Sequence, residues 1–585
     1  MTDPAPLSQP VHETVFEKDV EIPMRDGTVL RADLTLPKAD GPFPVLLERT
    51  PYNKDGGSEV GVGAPDFFAR RGYAVVIQDV RGRFASEGEF YPFRDDGAGV
   101  RRDGYDTIEW LAGQPWCDGR VGTIGGSYSG ATQYRAALSR PPSLRAMFVR
   151  ESSSDFQREW VYRDGAFELG FSLYWAHTVT ERNLPRLVGG EELERQRRLL
   201  RKAGEEMDDW YAKLPLYPCP FLEGLSDWHN VWLEHPQAGP YWWGLNIENY
   251  HDRTQTPTYH QGAWFDIFLA GTLKNYLGMK RRARSEEARR SQKLVIGPWI
   301  HGSPNINKRV VGECDFGPDA ARDFNRMRLP WFDHWLKGVD TGVMDEPPVQ
   351  IFVMGRNQWR AEEDWPLPDT RYANYYLHGG SSGSIDSLND GTLSAAPPEG
   401  SENPDSFLYD PDDPVPTLGG NTLGIPSGPV DQRPVDARCL TYTSEPLEEE
   451  LEVTGPVKAV LYGMSSAPDT DWIVRLTDVH PDGYSRPLCD GILRARYRES
   501  FERPQLLDPG KVYRFEIDLW ATSNAFLPGH RVRVTVTSSS FPRFDRNLNT
   551  GGPIHREAAG QAAINTVLHD QLRPSHLVLP VIPPR

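Results

Sequence analysis

The chain has 585 residues, 25% charged and 38% hydrophobic, which is too long for one ordinary core and too apolar for a disordered protein. A formal net charge of −18 argues against nucleic acid and anionic membrane as partners, and no stretch approaches the roughly 18 to 20 apolar residues of a membrane helix. Five scattered cysteines without a CxxC pair indicate neither a disulfide framework nor a zinc site.

The opening stretch, "MTDPAPLSQPVHETVF", lacks a basic segment followed by an apolar one, so no secretion signal is read there and a cytoplasmic protein is expected. "VEIPMRDGTVLRADLTLP" predicts two strands joined at Arg25-Asp26-Gly27. Short apolar runs follow, "PVLLERTPY", "YAVVIQDVRG", "RVGTIGGS" and "RAMFVRES", of the kind buried on both faces of a parallel sheet. Helical segments alternate with them, among them "DGYDTIEWLAGQ" and "YSGATQYRAALSR", the latter stopped by Pro141-Pro142. Residues 1–151 thus form the first part of an α/β core.

From 152 to 250 no buried strand run appears. The charged amphipathic "GGEELERQRRLLRKAGEEMDDWYAKLP" and aromatics such as Trp175, Trp210, Trp228 and Trp242 predict a helical insertion. The α/β pattern resumes over 251–345 with "TPTYHQGAWFD" and "QKLVIGPWIHG". From 346 to 585 short alternating strands, beginning with "VQIFVMG", are separated by Pro, Gly, Asp and Asn, the pattern of an all-β sandwich. The acidic "YDPDDPVPTLGG" suits an interdomain loop by its prolines, and no metal or cofactor is assigned.

Within "GTIGGSYSG" a strand meets a helix at Ser127. Such a turn strains the serine backbone and requires small neighbours, here Gly125 and Ser129. It lifts the hydroxyl clear of the sheet and aims the first helical N–H groups at the same space, where an oxyanion could be held. The usual G-x-S-x-G is broken at its last position by Ser129, and a glycine-rich strand end is also a common packing device. Ser129 is a rival nucleophile, but the residue two before it is not glycine.

A serine hydroxyl needs a base, and the base a carboxylate to orient it. In this fold class they follow in the order Ser, Asp or Glu, His, each just past a strand. "TYHQGAWFD" delivers Asp266 and "KLVIGPWIHG" delivers His301, with Gly297 and Gly302 flanking. Either alone could be a turn cap or an ordinary histidine. His260 lies within a predicted strand and His334 within the helix "LPWFDHWLKG", so neither rival has the loop position of a mobile base.

"GGSYSG", "ERTPY", "WFD", "GPWIHG", "DVRGRFASEGEF" and "FLPGHRVRVTVTSSSFPRFDRN" together resemble the serine hydrolases that include bacterial cocaine esterase and the X-Pro dipeptidyl-peptidases. The resemblance runs from about Val20 to the C-terminus. It implies an α/β-hydrolase core, an inserted helical cap and a C-terminal jelly roll. It also implies Ser127 as nucleophile, His301 as general base and acid, and Asp266 as its orienting acid. By the same resemblance the oxyanion is held by the Tyr52 hydroxyl and the Tyr128 backbone N–H; otherwise Tyr52 is a packing tyrosine. Asp79, Arg81 and Arg83 are expected to form loop ion pairs beneath the site, and "WCDG" to cap a helix and start the nucleophile strand.

The aromatic-rich cap fits an ester or amide with an apolar or aromatic acyl group. An X-Pro dipeptidyl-peptidase or an acylase is the alternative, and an inactive binding protein the distant one. Amino-acid ester hydrolases carry acids after the triad aspartate to hold an ammonium. Here "IFLAGT" follows Asp266, so only a cap acid such as Glu168 could serve. Expected partners are a small ester or amide or a short peptide; the oligomeric state, homo-oligomer or monomer, is left open.

Overall fold

The computed structural model describes residues 6–56, 64–97 and 99–584. The apolar runs of the first half become strands of one ten-stranded sheet. In chain order these are β1 (Thr14–Pro23), β2 (Val29–Pro37), β3 (Phe43–Thr50), β4 (Ala74–Asp79), β5 (Cys117–Gly126) and β6 (Leu144–Arg150). After the insertion come β7 (Thr258–Phe265), β8 (Gln292–Ile300), β9 (Val349–Val353) and β10 (Gln358–Glu362). They lie side by side as β1-β2-β4-β3-β5-β6-β7-β8-β9-β10. All from β4 to β9 run parallel, with antiparallel strands at both edges.

A strand covered on both faces has no polar side to show, and β4 and β7 are buried at every residue. Alternation then decides which cluster each side chain joins. Val45 and Leu47 of β3 pack with Ile108 and Tyr134 on one face. Leu46 packs with Phe332 and Leu336 on the other. The first face carries helices α1 (Asp103–Ala112) and α2 (Tyr128–Leu138). The cap follows β6 and includes α3 (Leu169–Leu187). α4 (Leu269–Arg282) follows β7, and α5 (Phe324–Lys337) covers the second face, its Trp331 indole donating to the Met147 carbonyl at 3.0 Å. In the cap the long charged stretch is two helices, Gly190–Glu205 and Met207–Ala212, interrupted at Glu206.

"VQIFVMG" does not open the β domain. It is β9, paired in parallel with β8, and β10 extends the same sheet antiparallel. The α/β sheet therefore continues to Glu362, past the expected division at 345/346. A short buried run with Pro before it reads the same in either kind of sheet, and only its partner distinguishes them.

From Arg371 an eleven-stranded antiparallel-rich sheet folds over itself around Trp472, Phe515 and Val534. Its longest strand, Leu451–Ser465, pairs with Tyr513–Phe526 and with the C-terminal strand His576–Ile582. Among the described residues no helix is long and apolar enough to cross a membrane.

Candidate active site

Ser127 sits where β5 ends and α2 begins, with φ 58° and ψ −124°, a conformation that costs a side-chain-bearing residue about 1–3 kcal/mol. The surroundings fix it. Its N–H donates to the carbonyls of Arg150 (3.0 Å) and Glu151 (3.1 Å), and its own carbonyl accepts from Gly130 and Ala131 as the helix starts. Gly125 has φ 130°, and a Cβ there would stand 2.7 Å from that of Ser129. Two small residues are thus required at these positions together. Ser129 is fully buried and donates to Glu48 at 3.0 Å, so it faces away from any substrate.

Asp266 and His301 lie just past the ends of β7 and β8. Because those strands are neighbours in parallel register, the two loops emerge side by side. His301 Nδ1 is 2.6 Å from Asp266 Oδ1, with the carboxylate fully buried. Neither rival is free for this work. His260 is buried between Tyr134 and Gln292, and burial pushes its pKa down to about 3; His334 lies within α5.

The structure brings Asp266 and His301 into direct contact, and Glu151 links the main chain of Ser127 to the His301 ring. The Glu151 carbonyl accepts from the Ser127 N–H, while its carboxylate lies 3.5 Å from His301 Nδ1. Among the described residues no hydrogen bond joins the Ser127 hydroxyl to the His301 ring. Burial disfavours the imidazolium, but the charge and hydrogen bond of Asp266, then the charge of Glu151, outweigh it, so the His301 pKa lies above the usual 6.5.

Tyr52 follows β3, and its oxygen accepts from the Trp175 indole of the cap at 3.1 Å. Behind it Arg83 donates to the Pro51 carbonyl at 2.8 Å and to the Val179 carbonyl of α3. The Tyr128 phenol points elsewhere, accepting from the Phe93 N–H at 2.9 Å, whereas its backbone N–H is the first of α2. Aromatic rings surround this space. Phe268 sets its edge to His301 at 5.3 Å and stacks on Trp160 at 4.4 Å, and Trp175 stacks on Tyr128 at 6.1 Å.

Of the expected ion pairs, Arg81 meets Asp103 and Asp26. Arg83 instead binds carbonyls, and Asp79 accepts the Lys54 N–H at 2.9 Å. Burial outweighs that bond and pushes the Asp79 pKa up to about 6. "WCDG" starts β5, but α1 is capped earlier, at Gly113. Glu168 is buried beside Arg543, 3.8 Å away, on the jelly-roll side.

Two contributors carried no signal in the sequence. Glu151 is one. The other is Asn421, on a jelly-roll loop, whose amide donates to the carbonyls of Trp264 (2.9 Å) and Asp266 (3.0 Å). The β domain thereby holds the loop that carries Asp266.

Residues 26–303 match the family described as X-Pro dipeptidyl-peptidase (S15 family), and residues 341–578 match the X-Pro dipeptidyl-peptidase C-terminal non-catalytic domain. The chain is 40% identical to cocaine esterase of Rhodococcus sp. (strain MB1 Bresler), covering 96% of this chain and 98% of that protein. It is 28% identical to a putative serine esterase of Mycobacterium bovis over 96% and 95% of the two chains. Among solved structures it superposes on an aminopeptidase from a marine sediment Thaumarchaeota archaeon with TM-score 0.83 at 27% identity, covering 100% and 98%. An α-amino acid ester hydrolase gives TM-score 0.80 at 28% identity, covering 99% and 98%. The fold is an α/β-hydrolase core with a C-terminal all-β domain, and the chain belongs to the serine hydrolase family of cocaine esterase and the X-Pro dipeptidyl-peptidases.

Proposed function

We infer that the chain hydrolyses an ester or amide of a small apolar or aromatic acyl group through a covalent acyl-enzyme. The observation that carries this reading is the buried Asp266–His301 pair, linked through Glu151 to a serine held in a strained turn at a helix N-terminus. Ser127 attacks the carbonyl carbon while His301 Nε2 takes its proton, and Asp266 fixes Nδ1 as the donor so that Nε2 is the base. The tetrahedral oxyanion is met by the Tyr128 N–H and the Tyr52 hydroxyl. A phenol can donate as well as accept, so the bond from the Trp175 indole does not use up its donor. His301 then protonates the leaving group, and water repeats the sequence to release the acid.

Charge favours an uncharged acyl group over an α-ammonium. The acids near the cap are matched: Glu168 faces Arg543, Glu159 pairs with Lys274 at 2.6 Å, and Asp155 caps a helical turn. The family match nevertheless supports a second reading, an X-Pro dipeptidyl-peptidase. Nitrophenyl esters compared with Gly-Pro and Ala-Pro anilides decide between them. Higher kcat/KM on the esters is expected; faster cleavage of the anilides reverses the order. A fluorophosphonate probe is expected to label Ser127, and an unlabelled serine removes the catalytic reading.

A further inference from the structure

Glu151 ends the run from β6 into the cap and is fully buried, with φ 45°. That conformation is unfavourable for a residue with a side chain and persists where the surroundings fix it. Here they do so at both ends of the residue. The backbone N–H donates to the Gln261 carbonyl at 2.7 Å, and the carbonyl accepts from the Ser127 N–H. On the side chain, Oε2 accepts from the Gly302 N–H at 2.8 Å and is paired with Arg150, while Oε1 accepts from Gln261 at 3.3 Å. The same Oε2 lies 3.5 Å from His301 Nδ1. One residue thus grips the main chain of the proposed nucleophile and the loop and ring of the proposed base.

We propose that Glu151 is a second carboxylate partner of His301, a positioning residue that holds the ring's loop and shares with Asp266 the charge the ring takes up. This rests on His301 being the base. The charged groups facing the ring are Asp266 from the end of β7, and Glu151 with Arg150 from the end of β6; Phe268 adds only its ring edge. With the imidazole neutral, two carboxylates oppose one guanidinium in a buried site. Taking up the serine proton brings this cluster to neutrality, which a low-dielectric interior favours. Three ligating side chains this close also resemble a cation site, but Arg150 already pairs with Glu151 there.

The test compares wild type, Glu151→Gln, Glu151→Asp, Asp266→Ala and the double variant Asp266→Ala/Glu151→Gln. The readouts are the pH profile of kcat/KM on a nitrophenyl ester and the His301 ring titration by NMR, assigned by its loss in His301→Gln. Losing the charge in Glu151→Gln is expected to lower the His301 pKa by about one unit and to move the acid limb down with it. The plateau should fall about tenfold, the equivalent of that unit. Glu151→Asp keeps a counter-charge for Arg150 and should fall between the two. In the Asp266→Ala background Glu151→Gln should cost more than it does in wild type, because it then removes the carboxylate that remains beside the ring. An unmoved ring titration and acid limb, or strict additivity of the two losses, overturns the proposal, whatever happens to the plateau. Failure of fluorophosphonate to label wild-type Ser127 is a separate result: it sinks the catalytic roles, and the ring titration still decides whether Glu151 acts on His301.

Discussion

The turn that presents Ser127 and the loop that presents His301 are built in opposite ways. The first is mostly local: Gly125, Ser129 and Gly130 lie within three residues of the serine, and the Arg150 and Glu151 carbonyls at the end of β6 anchor its N–H from outside. The second is assembled from afar. His301 is fixed by Asp266 and Glu151, its carbonyl accepts from Asn305 at 2.6 Å, and the acid's own loop is held by Asn421. Most of what shapes the Ser127 turn lies in nine consecutive residues, with one anchor from the end of β6. The setting of His301 is drawn from four separate segments.

The largest effect is expected at Ser127. Ser127→Ala should reduce kcat on the order of 10⁴-fold or more while the protein stays folded; substantial residual turnover would relocate the nucleophile. Removing one oxyanion donor by Tyr52→Phe should cost on the order of 10²-fold in kcat, and a near-normal rate would return Tyr52 to a packing role. The histidine side is sharpened by pH. A base with its pKa above 6.5 must be neutral to act, so kcat/KM should fall as pH drops through a value above 6.5. Stability runs the other way. The favoured imidazolium stabilises the fold fully below about pH 6.5, and that contribution is lost as pH rises through the higher folded pKa. The smallest effect is expected at Asn421→Ala. It removes two hydrogen bonds, about 1–2 kcal/mol together, and should lower the melting temperature and loosen Asp266 enough to reduce kcat several-fold. An unchanged kcat would make the β domain's hold on that loop structural only.

This contrast also explains what the sequence made legible. Ser127 stood out because its neighbours are constrained locally, and Asp266 and His301 because each follows an apolar run. Glu151 also follows such a run, yet a carboxylate after a strand is ordinary until the partner 150 residues later is in view. Asn421 sits in a loop whose composition says only that it is a loop. Arg83 was expected to find a carboxylate but meets two carbonyls, a choice made by the cap's position. Strand β9 was misplaced for a related reason: burial on both faces erases the alternation that would have told one sheet from another.

The place where β9 gives way to the β domain has a consequence of its own. Met354 exchanges hydrogen bonds with Ser523 and Ala525, at 3.0 and 2.8 Å, and Gly355, with φ 84°, lets the Ala525 carbonyl come so near that a Cβ would stand 2.0 Å from it. The two halves are therefore stitched main chain to main chain as well as through side chains such as that of Asn421. Severing the polypeptide near residue 345 would unravel an edge of the hydrolase sheet along with its neighbour, so the C-terminal half is a structural member of the enzyme and not an attachment to it.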